Sequence, residues 1–158
     1  MTRETEYEEI LGELKRHYGA ERDLYERLLA KARLQFDLLS KGQQAEAARV
    51  VEEKGQIIEE IAGIEGQLAP LKRRWPEIEP GIGEEQRRDL ADVVEAIRGL
   101  IESILEQDED SGILLKNRAE EMAEEMQRLR RTKQATRAYR SQSRPSEAGQ
   151  PYLLDRKE

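Results

Sequence analysis

The chain carries one histidine, His17, and no cysteine. Glu13 and Glu21 stand four residues to either side of His17. On a helix that spacing puts three potential metal ligands on one face. A carboxylate-bridged di-iron bundle needs Glu-x-x-His from two helices, and a second histidine is missing. Without cysteine there are no disulfides, no thiolate chemistry and no Cys-based zinc or iron–sulfur site. His17 therefore reads as a surface residue. Asp108-Glu109-Asp110 resembles half of a calcium loop. An EF-hand counted from Asp108 would need Gly and Glu where Ile113 and Ala119 stand, so the run reads as a solvated acidic face. No glycine-rich loop precedes a Lys-Ser/Thr pair, and no acyl-transfer or kinase signature is present. Carboxylates are too frequent to specify a pair. The expectation is a protein without catalytic residues, cofactor or metal, and not an enzyme.

The basic run over 128–144, with Tyr139 inside it, could grip phosphates. It could equally complement the acidic stretch 102–125 or the helix dipole. The net charge of -7 argues against nucleic acid as the main partner. The run is too poor in apolar residues for an interfacial helix, and membrane insertion is not expected. MTRETEYEE lacks the basic start and apolar stretch of a secretory signal, so the expected location is cytoplasmic.

Charged residues make up 39% of the chain and aromatic ones 4%. Such a mix cannot fill a thick core but can cover a thin contact between long helices. The first helix is expected over about 4–40. Tyr7, Ile10, Leu11, Leu14, Tyr18, Tyr25, Leu28, Leu29, Ala32, Phe36 and Leu39 form its stripe. Glu21, Arg22, Asp23, Glu26, Arg27 and Lys31 fill its wet side. Ser40-Lys41-Gly42 reads as its end. The second helix is expected over about 44–74, with Ala47, Ala48, Val51, Ile58, Ile61, Ala62, Leu68, Leu71 and Trp75 as its stripe. Gly55, Gly63 and Gly66 serve close packing or are simply tolerated. Trp75-Pro76 should end this helix, leaving Pro76–Gly83 as a loop.

The third helix is expected over about 84–138. Its stripe runs from Leu90 through Ile101 and Leu105 to Leu115, Met122, Met126 and Leu129. It keeps phase across Asp108–Gly112, which favours one continuous helix over a break at Ser111-Gly112. The fold class is all-α: an antiparallel hairpin with a longer third helix, forming a coiled-coil-like bundle over 1–140. Residues 141–158 read as a polar linker and a short apolar tip. The third helix outruns the second, so its far end must be exposed, bent back or covered. A partner's amphipathic helix or a second copy of the chain would suit that surface.

The stretch 25–68 combines a leucine-rich helix end, a short turn, and Glu53, Lys54, Ile57 and Ile61 in Glu-Lys-x-x-Ile-x-x-x-Ile spacing. A long third helix follows, with Asn117 after Leu114-Leu115. The ending joins LRRTKQATRAYR to YLLDRKE through a polar linker, with Tyr139, Tyr152, Leu154, Asp155, Arg156 and Lys157. In these features the chain resembles the FlgN-like flagellar type III export chaperones. The three glycines of the second helix and the acidic DEDSG depart from the pattern. The resemblance implies a non-enzymatic cytoplasmic chaperone of flagellar assembly. Such proteins bind the C-terminal helical ends of hook-associated subunits, which form the hook–filament junction. They prevent premature assembly and aid type III export, with possible contacts to the export apparatus. Leu115, Asn117, Met122, Met126, Leu129, Tyr139, Tyr152 and Leu154 are the expected partner-binding residues. A homodimeric coiled-coil adaptor is the alternative. A nucleic-acid binder acting through 128–144 is a weaker one.

Overall fold

The computed structural model describes residues 3–143. Three α-helices, α1 (Arg3–Ser40), α2 (Gln44–Ile78) and α3 (Glu84–Ser143), follow in order. A short 3-10 turn at Glu79–Gly81 joins α2 to α3. No strand occurs among the described residues, and the expected all-α class holds. Two compact units divide the chain, Met1–Gly112 and Ile113–Glu158.

Within the first unit, α1 and α2 pack as an antiparallel hairpin. Tyr7, Leu11, Leu14, Tyr18, Glu21, Tyr25, Leu28, Ala32, Gln35 and Leu39 alternate at spacings of four and three along α1. That is a heptad repeat, which keeps one stripe turned to a neighbouring helix. On α2 the same rhythm runs through Ala47, Val50, Lys54, Ile57, Ile61, Ile64, Leu68, Leu71, Trp75 and Ile78. The buried residues Val50 and Ile57 thus replace Val51 and Ile58 of the expected stripe, both of which are exposed. In each Val-Val and Ile-Ile pair the first member is the buried one. Leu24, absent from the expected α1 stripe, is also buried.

The hairpin link is a Schellman closure. The Gln43 amide donates to the Leu38 carbonyl at 2.9 Å, and the Gly42 amide to the Leu39 carbonyl at 3.1 Å. Gly42 adopts φ 77°, where a side chain would be strained. The expected end of α1 holds.

The expected end of α2 does not. The helix continues through Pro76 to Ile78. Proline inside a helix costs about 3 kcal/mol, through a lost N–H and a clash with the preceding turn. Ile78 is fully buried and Ile82 nearly so, packed with Ile10, Leu11, Leu14, Leu68 and Leu90, with Trp75 against the cluster. Each such side chain contributes roughly 1.5–3 kcal/mol, so burial outweighs the proline. The stretch expected as a loop is one corner of the core. Gly81 passes close to Tyr7: a methyl group added there would lie 3.2 Å from the ring. Gly55, Gly63 and Gly66 meet nothing within 4 Å, so they are tolerated rather than required for close packing.

Gly83 opens α3 by accepting the Arg87 amide at 3.0 Å. Glu84 and Glu85 favour that end through the helix dipole. Leu90, Val93, Ile97, Leu100, Ile104, Gln107 and Ser111 carry the heptad of α3 toward the hairpin. Ile104 packs with Leu24, Leu28, Leu29, Ile57 and Ile61 in a second cluster, with Tyr25, Ile64 and Leu100 at its edge. The helix is continuous across Asp108–Gly112, as the phase of its apolar residues suggested.

Candidate functional site

Four groups of residues are candidates for function. The first is the sequence-predicted surface on α3. In the second unit, Leu115 is 44% exposed, Leu129 47% and Tyr139 74%. Asn117 is exposed and Met126 half-buried. Met122 lies on the same helix with its side chain outside the described set, and Tyr152 and Leu154 lie outside the described residues. Leu115, Ala119, Met122, Met126 and Leu129 keep heptad spacing, but one residue out of step with the buried series that ends at Ser111. Their series aligns with Ile101, Leu105 and Asp108. Of these, Leu105 is among the most exposed apolar residues of the first unit. The phase read across the acidic run is therefore that of a second apolar stripe, beside the one that makes the core.

The second group is a polar cluster between α1 and α2. Glu21 is only 2% exposed, not on the wet side as its neighbours suggested. Its position gives the reason: Glu21 lies seven residues from both Leu14 and Leu28, in the heptad that faces α2. Burial pushes its carboxyl up to about 8, reinforced by a hydrogen bond and like charge from Glu65, while Lys72 pulls the other way. Glu65 is held below the usual carboxylate range, chiefly by accepting that hydrogen bond, and Lys72 adds to the effect. Lys72 Nζ lies 3.2 Å from Glu65 Oε2 and 5.7 Å from the centre of the Tyr18 ring. Burial also raises the phenols of Tyr18 and Tyr25. Glu21 Oε2 has no hydrogen-bond partner among the described residues.

The third group fastens α3 to the hairpin. Lys54 bonds to Gln35 on α1 and to Asp108 on α3. Lys31 pairs with Glu53 at 2.8 Å across the hairpin. Ser111 is buried, whereas Asp108, Glu109 and Asp110 are exposed, in keeping with a solvated acidic face from which Asp108 reaches Lys54. The Glu53, Lys54, Ile57 and Ile61 pattern acquires a structural meaning: two residues form interhelical polar contacts and two fill the core.

The fourth is a groove of about 410 Å³ in the first unit, bounded by all three helices. Buried Leu14 and Leu90, half-buried Tyr18 and Trp75, and exposed Val94 supply its apolar lining, while Lys72, Glu79 and Arg87 carry the charge. No sequence motif marked it, because its residues come from four separate segments.

His17 is half-buried, and among the described residues no group of three His or acidic side chains could hold a metal ion. No helix among them is long and apolar enough to cross a membrane.

The heptad hairpin and the third helix define an all-α fold with no strand among the described residues. The family model described as FlgN protein matches residues 10–147, and the chain belongs to that family of non-enzymatic flagellar export chaperones. No match was found among curated proteins or among solved structures.

Proposed function

We propose that this chain acts in the cytoplasm by binding the C-terminal helical ends of hook-associated flagellar subunits. It keeps them from assembling prematurely and aids their type III export. The carrying observation is the apolar surface of α3 in a member of the FlgN family, where Leu115, Leu129 and Tyr139 stay open to solvent. An amphipathic subunit end would cover this stripe, removing apolar area that otherwise favours aggregation. Asn117, Met122 and Met126 complete the proposed surface, with Tyr152 and Leu154 of the tip as further contacts.

The test is co-purification from the native cell, with the bound protein identified, followed by calorimetry with that subunit. Converting Leu115, Met122 and Met126 together to Asp is expected to abolish capture while helicity, read by circular dichroism, is unchanged. Unchanged affinity in this variant would sink the surface assignment. A chain that forms only a concentration-dependent homodimer, with no subunit bound, would overturn the chaperone reading for this protein.

A further inference from the structure

Glu21 divides the core of the first unit. Leu14 before it belongs to one buried cluster, and Leu28 after it belongs to the other. On α2, Leu68 and Ile61 divide in the same way on either side of Glu65. The half-buried Ile64 packs against both clusters. Between the clusters lies a layer of Glu21, Glu65, Lys72, Tyr18 and Tyr25, whose polar groups act on one another. From α3 comes the buried Ile97, midway between Leu90 and Ile104 as Glu21 is midway between Leu14 and Leu28.

This layer suits a neutral carboxyl better than a carboxylate. Glu21 is almost fully buried, and its Oε2 lacks a hydrogen-bond partner among the described residues. Lys72 is already bonded to Glu65 and lies over the Tyr18 ring. His17, one turn before Glu21 on α1, is half-buried. On α3, Glu95 and Arg98 pair with each other at 2.8 Å on an exposed face. Arg87 precedes Ile97 by about 15 Å of helix. An ionised Glu21 would thus be a buried charge beside a second carboxylate, with the nearest ammonium engaged. The Glu65 and Lys72 side chains are 43% and 45% exposed, so the layer meets water on one side.

We infer that this layer is a proton-operated gap in the hairpin: closed while Glu21 is protonated, and opened to water once Glu21 ionises, with the two apolar clusters still packed. Opening hydrates the new charge, while the clusters are held by side chains that each contribute roughly 1.5–3 kcal/mol. The raised carboxyl of Glu21 puts the change in the mildly alkaline range. The gap does not depend on which subunit, if any, occupies α3.

The test is hydroxyl-radical footprinting of the full chain at pH 6 and pH 9. Burial raises the phenols of Tyr18 and Tyr25, so both stay neutral over this interval and report water access. Their labelling should rise severalfold at pH 9, as the open-to-closed ratio grows by about tenfold or more. Leu14 and Leu28, one in each cluster, should label equally at both pH values. Glu21→Gln should keep the tyrosines protected at pH 9. Glu65→Gln should protect them too, because it removes the like charge and frees Lys72 for Glu21. Tyrosine labelling that is unchanged in the parent, that rises equally in Glu21→Gln, or that rises together with Leu14 and Leu28 would overturn the proposal.

Discussion

Lys54 Nζ donates to Asp108 Oδ1 at 2.6 Å, while the same ammonium reaches Gln35 Oε1 at 2.9 Å. One side chain from α2 thereby ties α1 and α3 together. The Lys54 side chain is only 12% exposed and Asp108 is 42% exposed, so the pair is partly shielded from water. Asp108→Ala should lower stability by about 1–2 kcal/mol, because it leaves a largely buried cation with one partner. Denaturant unfolding of the single and double variants with Lys54→Ala gives the coupling. A value near zero would show that the contact only decorates the surface.

The Glu21–Glu65 pair makes stability depend on pH. Glu21 sits near 8 in the folded chain, above its ordinary value of 4.5, so the folded state holds that proton more tightly than the unfolded one. Its stabilising contribution is complete below about pH 4.5 and is lost as pH rises toward and through 8. Glu65 has the opposite sign, favouring the fold above its ordinary range and losing that effect in acid. Between pH 6 and 9 the Glu21 effect dominates, and the melting temperature should fall by an amount equivalent to about 2 kcal/mol. Glu21→Gln should flatten the profile. A wild-type melting temperature independent of pH over this interval would refute the raised Glu21 carboxyl.

Gly55, Gly63 and Gly66 are exposed on α2 with open space around them. Replacing any one with Ala should raise stability by about 0.5–1 kcal/mol, by reducing the freedom of the unfolded chain. Gly81→Ala should act in reverse, because its methyl would press on the Tyr7 ring, which is packed against the core cluster. Thermal melts of these four variants should therefore fall on both sides of the parent.

Ile78→Ala should cost about 2–5 kcal/mol, as expected for a fully buried side chain. Pro76→Ala should stabilise, since it restores an amide to the helix without disturbing Ile78. If Pro76→Ala destabilised instead, proline would be setting the geometry of the corner rather than being carried by it.

The hairpin and the long third helix were legible because heptad spacing survives in a single sequence. The end of α2 was not, because Pro76 acts locally while Ile78 and Ile82 act through contacts with α1 and α3. Residue type puts Glu21 on the wet side, although its distance from Leu14 and Leu28 marks it as inward-facing. On α3, apolar character alone marks Leu115 and Leu129 in the sequence, and both are exposed. The groove could not be read from the chain, since Leu14, Trp75 and Leu90 meet only after folding. Arg87, adjacent to Arg88 and two residues from Asp89, looks in sequence like one more surface charge.

The three-residue closure at Lys41–Gln43 also sets a timetable for synthesis. The α1–α2 contacts lie close in sequence and close small loops, so they form quickly. The matching part of α3 leaves the ribosome afterwards, and Ile104 reaches Ile57 and Ile61 only when the chain is two-thirds made. Until then the hairpin exposes its inner side to water, and Lys54 has Gln35 but not yet Asp108. A nascent chain stalled before α3 should therefore be sticky and readily cleaved by protease, and the finished first unit should be neither.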